Sequence, residues 1–258
     1  MAHEFDGRKY AKVSQHQKEW GQRLISELSL SGRERVLDMG CGDGALTAAI
    51  AEILVDGEVV GIDASEGMIA EAKKHKADNL TFALLDINEM DVADEFDVVF
   101  SNATLHWVRD HSRMLAGVHK ALVVGGVTRL NFAGDGNCGN LIRIVKETMA
   151  KEKYAGHFAG WAWPWYMPSV DEYSLLAGKA GFAEVKVWGE NADRTFAAGE
   201  AITGWIDQPS LVPFLRQIDG EDKRRFRDEV VQRMLAETAR RDGTYFETFR
   251  RINLLARK

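Results

Sequence analysis

The chain has 258 residues, 45% of them hydrophobic and 28% charged, and a formal net charge of -6. That composition excludes a disordered chain and leaves enough apolar material for one sizeable core with a cap. The acidic balance, with Lys223-Arg224-Arg225 and Arg250-Arg251 as the longest basic clusters, excludes nucleic acid as a partner, and no stretch reaches the ~18 apolar residues of a membrane span. A small-molecule partner and a cytoplasmic address are therefore expected; the oligomeric state is not readable. Cys41 and Cys138 make neither a disulfide framework nor a zinc site, so no metal is expected.

Residues 7 to 29 place Tyr10, Ser14, Gln17, Trp20, Gly21, Leu24, Ile25 and Leu28 at spacings that predict an amphipathic helix behind a polar arm. Next comes Arg35-Val-Leu-Asp-Met-Gly-Cys-Gly-Asp-Gly44, a buried strand breaking into alternating glycines, followed by helical spacing from Leu46 to Leu54. Glycines at a strand-to-helix turn permit positive φ and let a ligand approach the backbone. A second strand, Val59 to Asp63, closes on a carboxylate. A nicotinamide fingerprint would need its third glycine where Ala45 stands, and Asp38 would repel a pyrophosphate.

The run Asp38-Met-Gly40-Cys41-Gly42-Asp-Gly44 with Asp63 resembles motif I and its successor in class I S-adenosylmethionine-dependent methyltransferases. The resemblance implies a doubly wound, seven-stranded, mostly parallel α/β sheet of Rossmann-like methyltransferase type, with S-adenosyl-L-methionine as cofactor. It implies cofactor contacts at Asp38, Gly40, Cys41, Gly42 and Gly44, and Asp63 with neighbouring Ala64 on the ribose. Tyr10, Ser14 and Gln17 match an arm that covers the cofactor in carboxylate-methylating members, although a surface helix with incidental polar residues explains them equally well.

Ser65-Glu66 opens a helix, Gly67 to Lys76, in which Met68 either shields the adenine or fills core. A third strand, Leu80 to Leu85, ends in Asp86-Ile87-Asn88, where the family sets its adenine-binding acid and the next backbone amide. The fourth, Phe96 to Phe100, runs into Ser101-Asn102-Ala-Thr-Leu-His106-Trp107 at the edge where open parallel sheets bind ligands. Ser101 and Asn102 are placed on the cofactor, His106 and Trp107 over the transferable methyl. A helix from Arg113 to Leu122, a Val123-Val-Gly-Gly126 link and a strand from Val127 to Phe132, bearing Asn131 as a substrate contact, complete the alternation. Ala183 to Trp188 and Phe249 to Ala256 read as the last two strands, paired antiparallel in the family.

Two cap inserts interrupt one methyltransferase domain, at about 133–168 and 199–241. In the first, Phe158, Trp161, Trp163, Trp165 and Tyr166 put five aromatics in nine residues of a chain that is 9% aromatic. Such a cluster encloses something apolar, so Trp161, Trp163, Trp165 and Tyr166 join Tyr10 and Trp107 as expected substrate contacts. The second has the three-and-four spacing of capping helices.

The Ser-Asn-Ala-Thr-Leu-His-Trp-Val run, Gln17 and the Gly204-Trp205 to Phe214-Leu215 segment resemble the trans-aconitate methyltransferase group and, more distantly, juvenile hormone acid methyltransferases. That resemblance implies O-methylation of a small carboxylic acid, with Gln17, His106 and Trp107 as the reacting-centre residues. A carboxylate needs no base at neutral pH, which suits a sequence without an evident acid-base pair. A polycarboxylate would ask for an arginine fork, for which Arg129, Arg143 and Arg194 stand unranked. The alternatives are N- or C-methylation, which would ask His106 to act as base, methylation of a malonyl carrier protein, and a non-catalytic cofactor-binding protein.

Overall fold

The structure is a computed structural model that describes residues 15–258, with side chains described from Trp20 onward, Pro209 excepted. Helix α1 (Gln15–Ser26) is followed by β1 (Arg35–Met39), α2 (Ala45–Ile53), β2 (Glu58–Asp63), α3 (Glu66–Ala72), β3 (Leu80–Leu84), β4 (Phe96–Asn102), α4 (His111–Ala121) and β5 (Leu122–Ala133). The strand order is β3-β2-β1-β4-β5-β9-β6, where β6 spans Glu184–Asn191 and β9 spans Arg250–Arg257. Strands β1 to β5 pair in parallel and β9 runs antiparallel to β5. The chain reverses its direction of travel across the sheet between β1 and β4, so their carboxyl ends border the crevice where such sheets bind ligands.

Helices on both faces explain why the strands read as apolar runs rather than alternations. One face packs Leu37, Met39, Val99, Leu130, Phe132, Ile252 and Leu254 against Met114, Leu115 and Val118 of α4 and Tyr173 of a later helix, Val170–Ala177. The other packs Val36, Val98 and Phe100 against Leu24 and Ile25 of α1 and Ile50 of α2. Full burial of Leu24 and Ile25 is worth ~1.5–3 kcal/mol each, enough to hold α1 on the sheet.

Two boundaries differ from expectation for local reasons. Helix α4 begins at His111 rather than Arg113 because Asp110 caps it, its Oδ1 accepting the Arg113 N–H at 2.9 Å. Strand β5 begins at Leu122 and absorbs the expected Val123–Gly126 link as a bulge, its register against β4 jumping from Phe96↔Leu122 to Val98↔Val127.

Two compact units emerge. The first gathers the chain up to Asp135, Trp165–Glu190 and Arg251–Lys258, and so contains the sheet. The second comprises Gly136–Pro164 and Asn191–Arg250, wider in its C-terminal part than the expected 199–241 insert and narrower in its N-terminal part than 133–168. It holds helices Gly139–Met149 and Gly220–Thr238 and an antiparallel ribbon of β7 (Arg194–Phe196) and β8 (Tyr245–Glu247). Three-residue strands carry no readable periodicity, so the ribbon is a feature that sequence pattern missed. The buried Glu247 carboxylate accepts the Leu141 N–H at 2.9 Å and the Asn140 N–H at 3.2 Å, capping helix Gly139–Met149 from a distant part of the chain.

Candidate functional site

At the end of β1 the backbone folds back on β2, Gly40 and Cys41 both donating N–H groups to the Ile62 carbonyl at 2.7 and 2.9 Å. Gly40, Gly42 and Gly44 have φ of 74°, 56° and 78°. At Gly40 the requirement is twofold, since a Cβ there would also stand 2.1 Å from Thr104 Cγ2. The Asp63 carboxylate accepts the Gly42 N–H at 3.0 Å and the Ser65 N–H at 2.9 Å, joining the two turns that follow β1 and β2. A turn with glycine at three of its five positions and the Asp63 carboxylate beside it, next to half-buried Ala64, has the backbone approach and the acceptor that an adenosine with its ribose hydroxyls would require.

Other expected cofactor residues turn their side chains inward. Asp38 is 2% exposed and accepts the Thr47 hydroxyl at 2.7 Å, so it ties β1 to α2 beneath the turn; burial pushes its carboxyl up to about 7 against the pull of that bond. Cys41 is buried and its thiol is pushed well up by desolvation, which makes it packing rather than nucleophile. Met68 is buried on the inner side of α3, whose cap Ser65 accepts its N–H at 3.3 Å. The Ser101 hydroxyl is fully buried and donates to the Met39 carbonyl at 2.7 Å, stitching β4 to β1. Asp86 takes the Asn88 N–H and side-chain amide, each at 2.9 Å, and caps the short turn Ile87–Glu89, with Ile87 buried beneath it. These side chains are engaged within the fold around the turn.

After β4 the chain turns tightly. Ala103 adopts φ 60° and donates its N–H to the Asn131 carbonyl at 2.8 Å, while the Thr104 hydroxyl donates to the Gly40 carbonyl at 3.0 Å. The turn thus bridges β1 and β5, next to buried Asn102, and presents His106 and Trp107 at the crevice edge. The Trp107 ring lies 5.4 Å from His106 and 5.7 Å from Trp165, edge-on, and the Tyr166 N–H donates to the His106 carbonyl at 2.9 Å. His106 Nδ1 is closed off from solvent and meets no hydrogen-bond partner among the described residues. Burial first, then the positive charge of Arg251 and the His111 ring, hold its pKa down at about 3, so the imidazole is neutral and weakly basic.

Helix α1 approaches this edge closely enough that a Cβ on Gly21 would stand 2.2 Å from Leu46 Cδ1 and 3.0 Å from Asn102 Nδ2. Gln17 lies one turn earlier on α1, its side chain outside the described part, and Tyr10 lies outside the described residues altogether. Trp165 and Tyr166 belong with the sheet, whereas Trp161 and Trp163 belong to the second unit and pack on Phe214 at 5.3 and 5.2 Å.

The three arginines singled out by sequence have other partners. Arg129, 1% exposed, donates to Glu27 at 2.8 Å and Asn253 at 3.0 Å and stacks on Trp188. Arg143 is half-exposed between Glu237 and Glu147, and Arg194 lies over Phe196 in the ribbon. The arginine beside the crevice is Arg251, whose Nε and Nη2 donate to Asn131 Oδ1 at 2.8 and 2.5 Å. In the sequence it is half of the short Arg250-Arg251 basic cluster, and its alternation with Ile252 and Asn253 is the signal that sets it on a strand. Among the described residues no group of three His, Cys, Asp or Glu side chains is placed to hold a metal, and no helix is long and apolar enough to cross a membrane.

Residues 30–198 match the family model described as a methyltransferase domain. A trans-aconitate 2-methyltransferase of Methylobacterium radiotolerans is 30% identical over 240 residues, 91% of each chain. Among solved structures, a Bacillus halodurans protein described as a methyltransferase superimposes with a TM-score of 0.62 at 18% identity, covering 92% of this chain and 98% of that one. The Haemonchus contortus phosphoethanolamine N-methyltransferase 2, solved with S-adenosylhomocysteine, gives 0.63 at 18% identity, covering 98% of this chain and 56% of its own.

Proposed function

This chain belongs to the S-adenosylmethionine-dependent methyltransferases, and we propose that its acceptor is the carboxylate of a small organic acid, methylated on oxygen. The observation that carries the reading is His106. It is the titratable side chain next to Trp107 on the turn after β4, and burial with a neighbouring arginine leaves it neutral with a pKa of about 3. A base that weak gives little driving force for deprotonating an amine or a carbon acid at neutral pH. A carboxylate is already ionised there and requires none. The Methylobacterium relative, named for trans-aconitate, points the same way.

The cofactor supplies an electrophilic methyl on a cationic sulfur. The backbone of Gly40 to Gly44 and the Asp63 carboxylate are its proposed adenosine-side contacts, with Asp86 and Ile87 at the adenine end. The rings of Trp107 and Trp165, 5.7 Å apart, exclude water from the edge where opposite charges are annihilated as the new bond forms. Their faces also favour a cation. Holding acceptor and donor in line is worth as much as ~7–11 kcal/mol of the barrier, which leaves the protein little else to supply.

Incubation with methyl-labelled cofactor and either trans-aconitate or a metabolite extract, followed by mass identification, tests the reading. A labelled ester that mild alkali releases is the expected product. An alkali-stable N- or C-methyl product, label found only on a malonyl carrier protein, or no transfer at all would each overturn it.

A further inference from the structure

We propose that His111 is a positioning residue for methyl transfer: bonded to the Leu105 carbonyl and to the Tyr173 hydroxyl, it fixes the turn that carries His106 and Trp107 to the reacting edge. The inference rests on the reading that this turn faces the acceptor, and adds what holds the turn there.

The Asp110 cap starts α4 at His111, and the ring of that first residue turns back to Leu105, six positions earlier. His111 is 2% exposed and both its nitrogens are engaged. Nε2 lies 2.9 Å from the Leu105 carbonyl oxygen and Nδ1 lies 3.1 Å from the Tyr173 hydroxyl. A carbonyl only accepts, so Nε2 carries the proton. Burial holds the ring's pKa at about 4, so at neutral pH the imidazole is uncharged and its Nδ1 accepts the Tyr173 O–H. Phe132 at 5.2 Å, Tyr166 at 4.7 Å and Tyr173 at 5.4 Å pack around the ring and leave it one orientation.

The turn needs holding. Ala103 sits at φ 60°, a conformation that an L-residue keeps only where its surroundings impose it. On the upstream side the Asn131 and Gly40 carbonyls take the Ala103 N–H and the Thr104 hydroxyl. On the downstream side the buried Leu105 carbonyl takes the Val108 N–H at 2.9 Å and the His111 Nε2–H, and the His106 carbonyl takes the Tyr166 N–H at 2.9 Å. The imidazole thus ties the turn to α4 and, through Tyr173, to the helix Val170–Ala177, whose Glu172 accepts the Tyr166 hydroxyl at 3.1 Å. Without the imidazole the Leu105 carbonyl keeps its local Val108 bond but no tie to either helix. The strained turn then relaxes at the end that carries Trp107, and a displacement of ~1 Å at a reacting centre costs ~100-fold in rate.

The test compares His111→Gln, whose amide reaches as far as Nε2, with His111→Asn, whose amide reaches only as far as Nδ1, and with Tyr173→Phe. The readouts are label transfer to trans-aconitate and calorimetry of S-adenosylhomocysteine. His111→Asn is expected to lower kcat ~10–100-fold, with KM and S-adenosylhomocysteine affinity within about threefold of wild type. His111→Gln should hold kcat within about threefold, and Tyr173→Phe should lower it ~3–10-fold. An unchanged kcat in His111→Asn, equal losses in the Gln and Asn variants, or S-adenosylhomocysteine affinity lost in step with kcat overturns the inference. If His111→Asn does not fold, Tyr173→Phe carries the test, and an unchanged kcat there overturns the inference. Label on a different acceptor overturns the carboxylate reading alone, and the same comparison on that product decides for His111. If wild type transfers no label, the indole N–H resonance of Trp107 in the S-adenosylhomocysteine complex decides, assigned by its loss in Trp107→Phe. Displacement in His111→Asn with recovery in His111→Gln upholds the positioning role, and a signal unmoved in both overturns it.

Discussion

Gly40→Ala tests whether the glycine turn and the reacting turn are one mechanical unit. The new methyl would lie 2.1 Å from Thr104 Cγ2, 2.4 Å from its hydroxyl and 2.5 Å from its Cβ, all far inside contact distance. The backbone there has φ of 74°, a conformation that costs an L-residue ~1–2 kcal/mol. Overpacking adds ~1–3 kcal/mol, so the total is ~2–5 kcal/mol, a large share of a domain's ~5–15 kcal/mol. The same movement would break the Thr104 bond to the Gly40 carbonyl and displace His106 and Trp107. Urea unfolding of Gly40→Ala, Thr104→Gly and the double variant separates the parts. Thr104→Gly removes the three nearest clashing atoms, so the double variant should recover most of the ~1–3 kcal/mol overpacking share and retain the backbone share. A cost below ~1 kcal/mol for Gly40→Ala, or a cost unchanged by Thr104→Gly, would refute the close approach.

Asp63→Ala is expected to weaken S-adenosylhomocysteine at least ~tenfold in calorimetry, through loss of the ribose acceptor and of the anchor for the Gly42 N–H; unchanged affinity removes Asp63 from the site. Glu27→Gln leaves the buried Arg129 cation without its carboxylate and should lower stability by ~1–3 kcal/mol, less than for a sealed pair because Glu27 is 39% exposed; a neutral effect in urea unfolding would show that Asn253 and the Leu130 carbonyl suffice. His106 is held near 3 in the fold against an ordinary 6.5, so its contribution to stability is complete above pH 6.5 and is lost as pH falls toward 3, by up to ~1.4 kcal/mol per unit. His106→Asn should therefore flatten the fall of Tm between pH 6 and 4, with His111, held at about 4, retaining part of the slope; a slope like the wild type's would count against the burial.

The sheet and its cofactor turn were legible because their signals are local. Strand, three alternating glycines, helix and a carboxylate one strand later all fall between Arg35 and Asp63, and each residue's requirement is set by neighbours within a few positions. The last two strands were legible as strands, and their antiparallel pairing was what the resemblance implied; β9 and β6 stand side by side at the end of the sheet. Which way a polar side chain points was not. Asp38 and Ser101 stand in the expected motifs, yet one bonds Thr47 on the next helix and the other the Met39 carbonyl on the adjacent strand.

Local pattern by itself determined that this chain alternates strands and helices as a doubly wound α/β protein with a glycine turn after its first strand; the adenosine ligand was what the resemblance of that turn to motif I implied. Only the tertiary structure decided which arginine stands at the crevice, because the choice between Arg129 and Arg251 depends on the register of β5 and β9, whose hydrogen-bonded side chains Asn131 and Arg251 are 120 positions apart. One step along that ladder an arginine is enclosed and matched by Glu27; at the other end it is held in plane by Asn131 beside His106. A charge's role follows from what surrounds it, and only folding brings those surroundings together.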